Sequence, residues 1–236
     1  MSSQTYVPRL SSSSRRWTRF SFEYSGLRWR IRHLFDVTIC ILSFPIVLPI
    51  MALIALAIYV DSGRPVLFVQ DRIGRGGKRF SMFKFRSLRK DHSSASDRAY
   101  MKAYINGELE RKGNGTKQDL HKPFEQTHVT RVGRILRKTS LDELPQIFNV
   151  LRGEMSLVGP RPNVPWEVEA YRVWHIERLE GLPGITGLAQ VRGRSGLTWD
   201  QMARYDIEYL RTKSLWLDIK ILWWTVASIL HGRGAG

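Results

Sequence analysis

The chain has 236 residues, with 37 Lys or Arg against 21 Asp or Glu and a formal net charge of +16. That balance calls for an anionic partner: nucleic acid, an acidic membrane surface or phosphorylated substrates. Hydrophobic residues at 43% allow one domain with an appendage, and the single cysteine, Cys40, excludes a disulfide framework within the chain and fits a reducing compartment.

Residues 1–25 contain LSSSSRRWTRFSF and have no acid before Glu23. They lack the apolar core of a secretory signal and read as a disordered basic tail resting on anionic lipid, the alternative being a mitochondrial transit peptide, which their bias resembles. Val37–Val60 follows, a run without any charged residue. As one straight helix it reaches about 36 Å, enough for a hydrocarbon core of about 30 Å. Pro45 and Pro49 count against that, because each lacks an N–H and their rings press on the carbonyls of Ile41 and Pro45. Both flanks are basic: Arg28, Arg30 and Arg32 before, Arg64, Arg72, Arg75 and Lys78 after. Both therefore read as cytoplasmic. The segments 38–44 and 50–60 are each too short to cross alone. Together these features predict a re-entrant membrane hairpin over 26–62, a helix–break–helix with its bend at Pro45 and Pro49. A spanning helix with a proline kink is the competing reading.

A cytosolic body is expected over 63–236. PVLFVQDRI, GRGGK and RFSMFKFRSL predict two strands joined by a glycine turn. GRGGKR is not a Walker phosphate loop, because Arg79 stands where Ser or Thr is required. Lys84 and Arg86 alternate about Phe85 and share one face of the second strand. Residues 88–128 read as a variable polar insertion, helical around 95–111 and then a loop at KGNGTKQD. The six histidines lack metal-ligand spacing, so a zinc site is not expected.

The strongest chemical signal is RKTSLDELPQIFNVLRGEMSLVGPRPNVP, residues 137–165. Asp142 and Glu143 adjoin one another in a basic chain, with Arg137, Lys138, Arg152 and Arg161 near in sequence. Adjacent carboxylates repel, which raises one pKa unless cations or a metal offset them. A hard divalent ion such as Mg²⁺ suits them, and a carboxylate can attack phosphorus to form an acyl phosphate. The bland alternative is a capping box, with Ser140 at the N-cap and Glu143 at N3. Pro145 strains that alternative, since it would fall at the fifth helical position without an N–H. In GPRP, two prolines stiffen the backbone around Arg161, whose guanidinium suits bidentate phosphate recognition. An exposed Arg on a rigid turn is the alternative there. LPGITGLAQVRGRSG, residues 182–196, is a glycine-punctuated loop with Gln190, Arg192 and Arg194 that either surrounds an anion or merely turns. In SLWLDIKILWWTVASIL the apolar positions Leu215, Ile219, Leu222, Val226 and Ile229 recur at helical spacing beside Trp216, Trp223 and Trp224. That suits either an interfacial amphipathic helix or a tryptophan-bearing core helix. The fold class expected from all this is α+β, mostly helical.

Five ordered blocks carry a family resemblance: LFD at 34–36, FVQDRIGRGGKRFSMFKFRSL at 68–88, RVGRILRKTSLDELPQIFNVLRGEMSLVGPRP at 131–162, PGITGLAQVRGRSGLTWDQ and DIEYLRTKSLWLDIKIL. The chain resembles the small monotopic phosphoglycosyl transferases, the undecaprenyl-phosphate sugar phosphotransferases of bacteria. The resemblance covers roughly residues 31–228 and implies a hairpin with both ends cytosolic, on the cytosolic face of the inner membrane. By its distance from Phe35-Asp36, Pro49 matches the family's break proline; Leu48 replaces the serine that often precedes it, and Ser43 stands in as a hydroxyl donor. Larger relatives carry an N-terminal multi-pass region, and the chain resembles the minimal catalytic form. The implied reaction moves a sugar 1-phosphate from a UDP-sugar to undecaprenyl phosphate and releases UMP. It implies Asp142 as nucleophile, Glu143 with Asp142 at Mg²⁺, and Arg161, Lys84, Arg86 and Arg137 on phosphates, with Gln190 and Arg192 as substrate contacts. Anionic inner-membrane lipid is an expected partner, a homodimer is compatible, and nucleic acid is not expected. The competing function is a membrane-tethered basic nucleic-acid-binding module, but no helix-turn-helix or zinc-finger motif accompanies the charge.

Overall fold

A computed structural model describes residues 26–89, 102, 104–105, 128–193 and 197–230. The basic tail, most of the 88–128 insertion and Arg194 lie outside the described residues. The first element, α1, runs from Gly26 to Ser62, a 37-residue helix with both prolines inside it. At the usual rise it is roughly 55 Å long. This differs from the expected helix–break–helix: helical structure continues through Pro45 and Pro49. The physical reason is local. Each proline removes one backbone hydrogen bond, and on an apolar surface the remaining amides have no partner better than the helix itself. Nor does Ser43 rescue a freed carbonyl, because its Oγ donates to the Cys40 carbonyl at 2.7 Å.

Among the described residues α1 is the one helix long and apolar enough to cross a membrane, and only 11% of its most apolar window is buried. It is therefore not an ordinary core helix. Its two ends nevertheless pack on the same body. Cys40 and Phe44 join Phe80, Met82, Ile147, Val150 and Met155. Further along, Met51, Ile54, Ala55 and Ile58 join Phe85 and Leu136. Polar ties flank these contacts. Ser156 Oγ donates to Asp36 Oδ2 at 2.6 Å, and Arg32 pairs with Asp218 at 3.3 Å. At the other end, Asp61 Oδ2 accepts the Val132 N–H at 3.1 Å. Between the two attachments, five of the six residues from Pro45 to Ile50 are exposed.

The expected hairpin forms as β1 (Leu67–Ile73) and β2 (Arg79–Phe85), paired antiparallel with Leu67 opposite Phe85 and Ile73 opposite Arg79. Gly76 and Gly77 supply the positive φ of its turn, at 65° and 75°. Asn149, on α3 (Ile147–Leu151), closes the free edge of β2: its Oδ1 accepts the Phe83 N–H and its Nδ2 donates to the Ser81 carbonyl. A fully buried asparagine thus does for that edge what a third strand would do. Before α3 come α2 (Arg131–Thr139), capped by the Thr130 hydroxyl, and a 3-10 turn at Leu141–Gln146.

A second, parallel pair joins β3 (Ser156–Val158) to β4 (Gly184–Thr186). Between them lie α4 (Pro165–Glu169) and a 3-10 segment, Val173–Glu180. After β4 come α5 (Leu188–Arg192), α6 (Trp199–Thr212) and α7 (Leu215–Leu230). On α7, Ile221 and Asp218 face the body, while Trp216, Ile219, Trp223 and Val226 are exposed. The tryptophan side is thus the outer side, as an interfacial helix requires.

The parallel pair allows no side chain at Gly184: a Cβ there would lie 2.0 Å from the Gly159 nitrogen and 2.4 Å from the Thr186 carbonyl oxygen. Both obstacles are backbone. Gly184→Ala is therefore expected to destabilise the fold by about 3 kcal/mol, read as a lowered thermal unfolding midpoint in detergent.

Candidate active site

The two adjacent acids sit where one helix stops and another backbone form begins. Helix α2 ends at Ser140, whose φ of 57° and ψ of 18° are left-handed, and the 3-10 turn starts at Leu141. A left-handed Ser140 is not an N-cap, and its side chain makes no capping bond. The capping-box explanation of Asp142 and Glu143 therefore falls. The 3-10 form also accommodates Pro145, which lies inside the turn.

Strand β2 packs directly on this turn. From it Lys84 Nζ reaches Glu143 Oε1 at 2.6 Å. The pair is part-buried, which makes the contact stronger than a surface ion pair. The neighbours are then driven apart. Burial pushes the Asp142 carboxyl up to about 6; Lys84 and Arg137 oppose the rise and Glu143 adds to it. Burial works in the same direction on Glu143, yet the Lys84 charge and hydrogen bond, with Arg161 and Arg72, hold it below its ordinary value. Two carboxylates in consecutive positions thus have opposite electrostatic settings.

Arg161 is exposed at the tip of the Gly159–Val164 loop, within electrostatic reach of Glu143. Its loop is held from several sides. Gly184 N–H bonds the Pro160 carbonyl at 2.9 Å. Arg72, on β1 and buried, donates through Nη1 to the Pro162 carbonyl at 2.9 Å. The Ile73 N–H bonds the Asn163 carbonyl at 2.8 Å, and the Asn163 side chain is gripped by Glu167 and the Tyr171 hydroxyl, each at 2.7 Å. Arg137 lies in the last turn of α2, close enough to Asp142 to act on its charge.

The structure thus brings Asp142, Glu143, Lys84, Arg137 and Arg161 to one region. Arg86, expected with them, is only 6% exposed, and its Nη2 donates to the Ser62 carbonyl, the Ser62 hydroxyl and the Gly63 carbonyl. It closes the C-terminal end of α1. Gln190 Nε2 is turned to the Ile185 carbonyl at 3.3 Å, and Arg192 lies over the Tyr205 ring at 5.9 Å. Sequence reasoning missed Arg72, Asn149 and Glu167. A polar residue set within an apolar stretch, as in QIFNVL, is the signal that finds Asn149.

Among the described residues no group of three or more His, Cys, Asp or Glu is placed to hold a metal. Two adjacent carboxylates still suit Mg²⁺, which keeps several waters and shares its remaining positions with substrate phosphates. The donor set at Asp142 and Glu143 therefore fits that ion.

The sequence profile of the family described as bacterial sugar transferase matches residues 27–232. The chain belongs to that family. Among curated bacterial sugar transferases it is 40% identical over 212 residues to the undecaprenyl-phosphate glucose phosphotransferase of Komagataeibacter xylinus, covering 85% of this chain and 36% of that protein. The undecaprenyl-phosphate galactose phosphotransferase of Salmonella typhimurium is 38% identical over 208 residues, 87% of this chain and 41% of its own length. An uncharacterized sugar transferase, EpsL of Bacillus subtilis, is 34% identical over 204 residues, 86% of this chain and 89% of its own length. The chain therefore spans about two-fifths of the first two relatives and most of the third. In this bacterial sugar transferase the matched region contains every site residue named above.

The ion pair has a direct consequence for Glu143. In the metal-free protein, Lys84→Met leaves burial less opposed, so the Glu143 carboxyl is expected to protonate at higher pH than in the unaltered chain as pH falls. Carboxyl infrared bands or ¹³C shifts of labelled Glu report it. An unchanged titration would overturn the assignment of Lys84 as its controlling cation.

Proposed function

We propose that the protein transfers a sugar 1-phosphate from a UDP-sugar to undecaprenyl phosphate, initiating assembly of an exopolysaccharide, O-antigen or related glycan. The observation that carries this reading is the asymmetry of the acid pair: Glu143 is held charged by Lys84, while Asp142 beside it does not share that short contact. Paired groups whose environments push them apart mark a division of labour. Asp142 is the nucleophile and Glu143 the electrostatic partner.

In the first step an Asp142 carboxylate oxygen attacks the sugar-bearing phosphorus. The bond from that phosphorus to the bridging oxygen breaks, and UMP leaves with the electron pair. In the second, a phosphate oxygen of the lipid attacks the same phosphorus, the acyl-phosphate bond breaks, and the Asp142 carboxylate is regenerated. Splitting the transfer lets the nucleotide leave before the lipid engages. Arg161 and Arg137 bind diphosphate oxygens, and Lys84 keeps Glu143 ionised beside them. Magnesium, held by Glu143 with Asp142, would offset charge on the diphosphate. Gln190 and Arg192 serve as outer substrate contacts, and Arg86 holds the α1 junction that it closes.

The membrane seat follows from α1. Its two ends are attached to one body, and the exposed apolar stretch between them includes Pro45 and Pro49. A helix so attached enters and leaves a single leaflet, with the prolines easing its curvature. The body then lies on the cytosolic face of the inner membrane, with the outer tryptophans of α7 at headgroup level, where the lipid phosphate is found. Anionic lipid favours this seat because the chain is strongly basic.

Two measurements test the reading. With a UDP-sugar labelled in the sugar-bearing phosphate and no acceptor, label is expected to become bound to the protein as UMP is released. Asp142→Asn is expected to abolish both while leaving the thermal midpoint near that of the unaltered protein, and EDTA to stop turnover; normal turnover in the variant rules out the covalent step. Separately, cysteines at Leu10→Cys and Leu230→Cys in inverted and right-side-out vesicles are expected to react from the cytosolic side alone. Labelling from opposite sides rules out the re-entrant seat.

A further inference from the structure

One face of the β1–β2 hairpin links the acid-bearing turn to the Arg161 loop, and one residue on it has no part in the chemistry above. Directly opposite residues of an antiparallel pair share a face, as do alternate residues of one strand. Lys84 stands opposite Phe68, so Phe68, Gln70 and Arg72 lie on the face from which Lys84 meets Glu143 at 2.6 Å. At the far end of that row Arg72 Nη1 holds the Pro162 carbonyl at 2.9 Å, next in sequence to Arg161. Gln70 is thus the residue of β1 between the two halves of the candidate site. It is the diagonal neighbour of Lys84, a separation of about 7–8 Å that long side chains span.

Arg72 also fixes which way the Gln70 amide is turned. Its Nη2 donates to Gln70 Oε1 at 2.6 Å. A guanidinium carries no acceptor, so the group that faces it is the carbonyl oxygen, and the two N–H donors of Gln70 are turned away from it. Among the described residues neither of those donors has a partner. Arg72 itself is 9% exposed, and its buried Nε is without a partner among the described residues. Its guanidinium is therefore placed for Pro162 and Gln70 at the expense of its own third contact.

The face is open where Gln70 stands. Across the hairpin Met82 is buried, but Gln70 is half-buried and Phe68, beside it, is 46% exposed. A ligand that enters from the Phe68 end meets an amide with its acceptor occupied and its donors presented. If Gln70 served only to receive Arg72, a carboxylate would do so more strongly, because it adds charge to the hydrogen bond. The amide keeps the acceptor and adds donors, without placing a further negative charge where anions must enter.

We infer that Gln70 is a substrate-contacting residue: its amide, turned by Arg72, donates to a non-bridging oxygen of the sugar-bearing phosphate. This rests on the transfer chemistry proposed above. No bond forms or breaks at Gln70, and it moves no proton. A neutral donor suits the position, since it stabilises phosphate oxygens without drawing the Asp142 carboxylate into an ion pair that would weaken it as a nucleophile.

The test measures acceptor-free UMP release at subsaturating UDP-sugar, with thermal midpoints in parallel. Gln70→Glu keeps the acceptor for Arg72 and removes the donors; Gln70→Met removes both. Each is expected to lose about tenfold or more in rate, and Gln70→Glu to keep the thermal midpoint of the unaltered protein. A Gln70 that only steadies Arg72 predicts a normal rate for Gln70→Glu, and that result would overturn the inference. The second readout uses UDP-sugars in which sulfur replaces one non-bridging oxygen of the sugar-bearing phosphate, taken as the two separate diastereomers. Sulfur is a weak hydrogen-bond acceptor, so the loss from Gln70→Met is expected to shrink to about threefold or less with one diastereomer and to persist with the other. An equal loss with all three substrates is what a purely structural role gives, and it would overturn the inference as well. Should Gln70→Met fail to fold, Gln70→Glu carries the same comparison. If the unaltered protein neither releases UMP nor takes up label, the transfer reading falls and this inference falls with it; if it does both and the variants match it, the role of Gln70 alone falls.

Discussion

The short contact of Lys84 with Glu143 is the main interaction that sets the two neighbouring acids apart. Lys84 arrives from β2 and meets Glu143 at 2.6 Å, and everything that fixes β2 against the 3-10 turn serves that contact. Asn149 binds β2 through the Phe83 N–H and the Ser81 carbonyl, so the strand is registered to α3, the direct continuation of the turn. Were β2 to slip by one residue, Lys84 would face the opposite side of the hairpin. The fully buried asparagine guards against that slip, since its amide satisfies one donor and one acceptor at a fixed step of the strand.

The apolar helix and the candidate site are parts of one packing problem. Cys40 and Phe44 of α1 rest on the same cluster as Met82 of β2 and Ile147 of α3. At the other end, Ile58 meets Leu136 of α2, with Leu141 and Leu144 of the acid-bearing turn packed nearby. Arg86 and Asp61 then tie that end of the helix to the strand and to α2. The membrane element thus forms one wall of the site's own core.

Much of this was legible in the sequence, for identifiable reasons. The hairpin was, because alternation and glycines specify strands and a turn over a short span. The strain that Pro145 places on a capping box was also legible, and the left-handed Ser140 with its 3-10 turn is how the backbone resolves it. The fate of Arg86 was not. Alternation places it beside Lys84, and its N–H still bonds the Val66 carbonyl at 2.9 Å, but its guanidinium is taken by Ser62 and Gly63 at the end of α1, a contact between distant positions that no local pattern announces. The parallel β3–β4 pair was hidden because each strand has three residues and the close approach is made by glycines, which leave no apolar pattern. The continuity of α1 was misjudged because two prolines weaken a helix without obliging it to stop.

The groups that hold the loop bearing Arg161 come from widely separated parts of the chain: Arg72 from β1 and Gly184 from β4. Synthesis proceeds from the N-terminus, so a growing polypeptide has its apolar helix and both acids before β4 leaves the ribosome. During that interval the loop lacks one of its two flanking supports, and the candidate site is completed only after the apolar helix has been made.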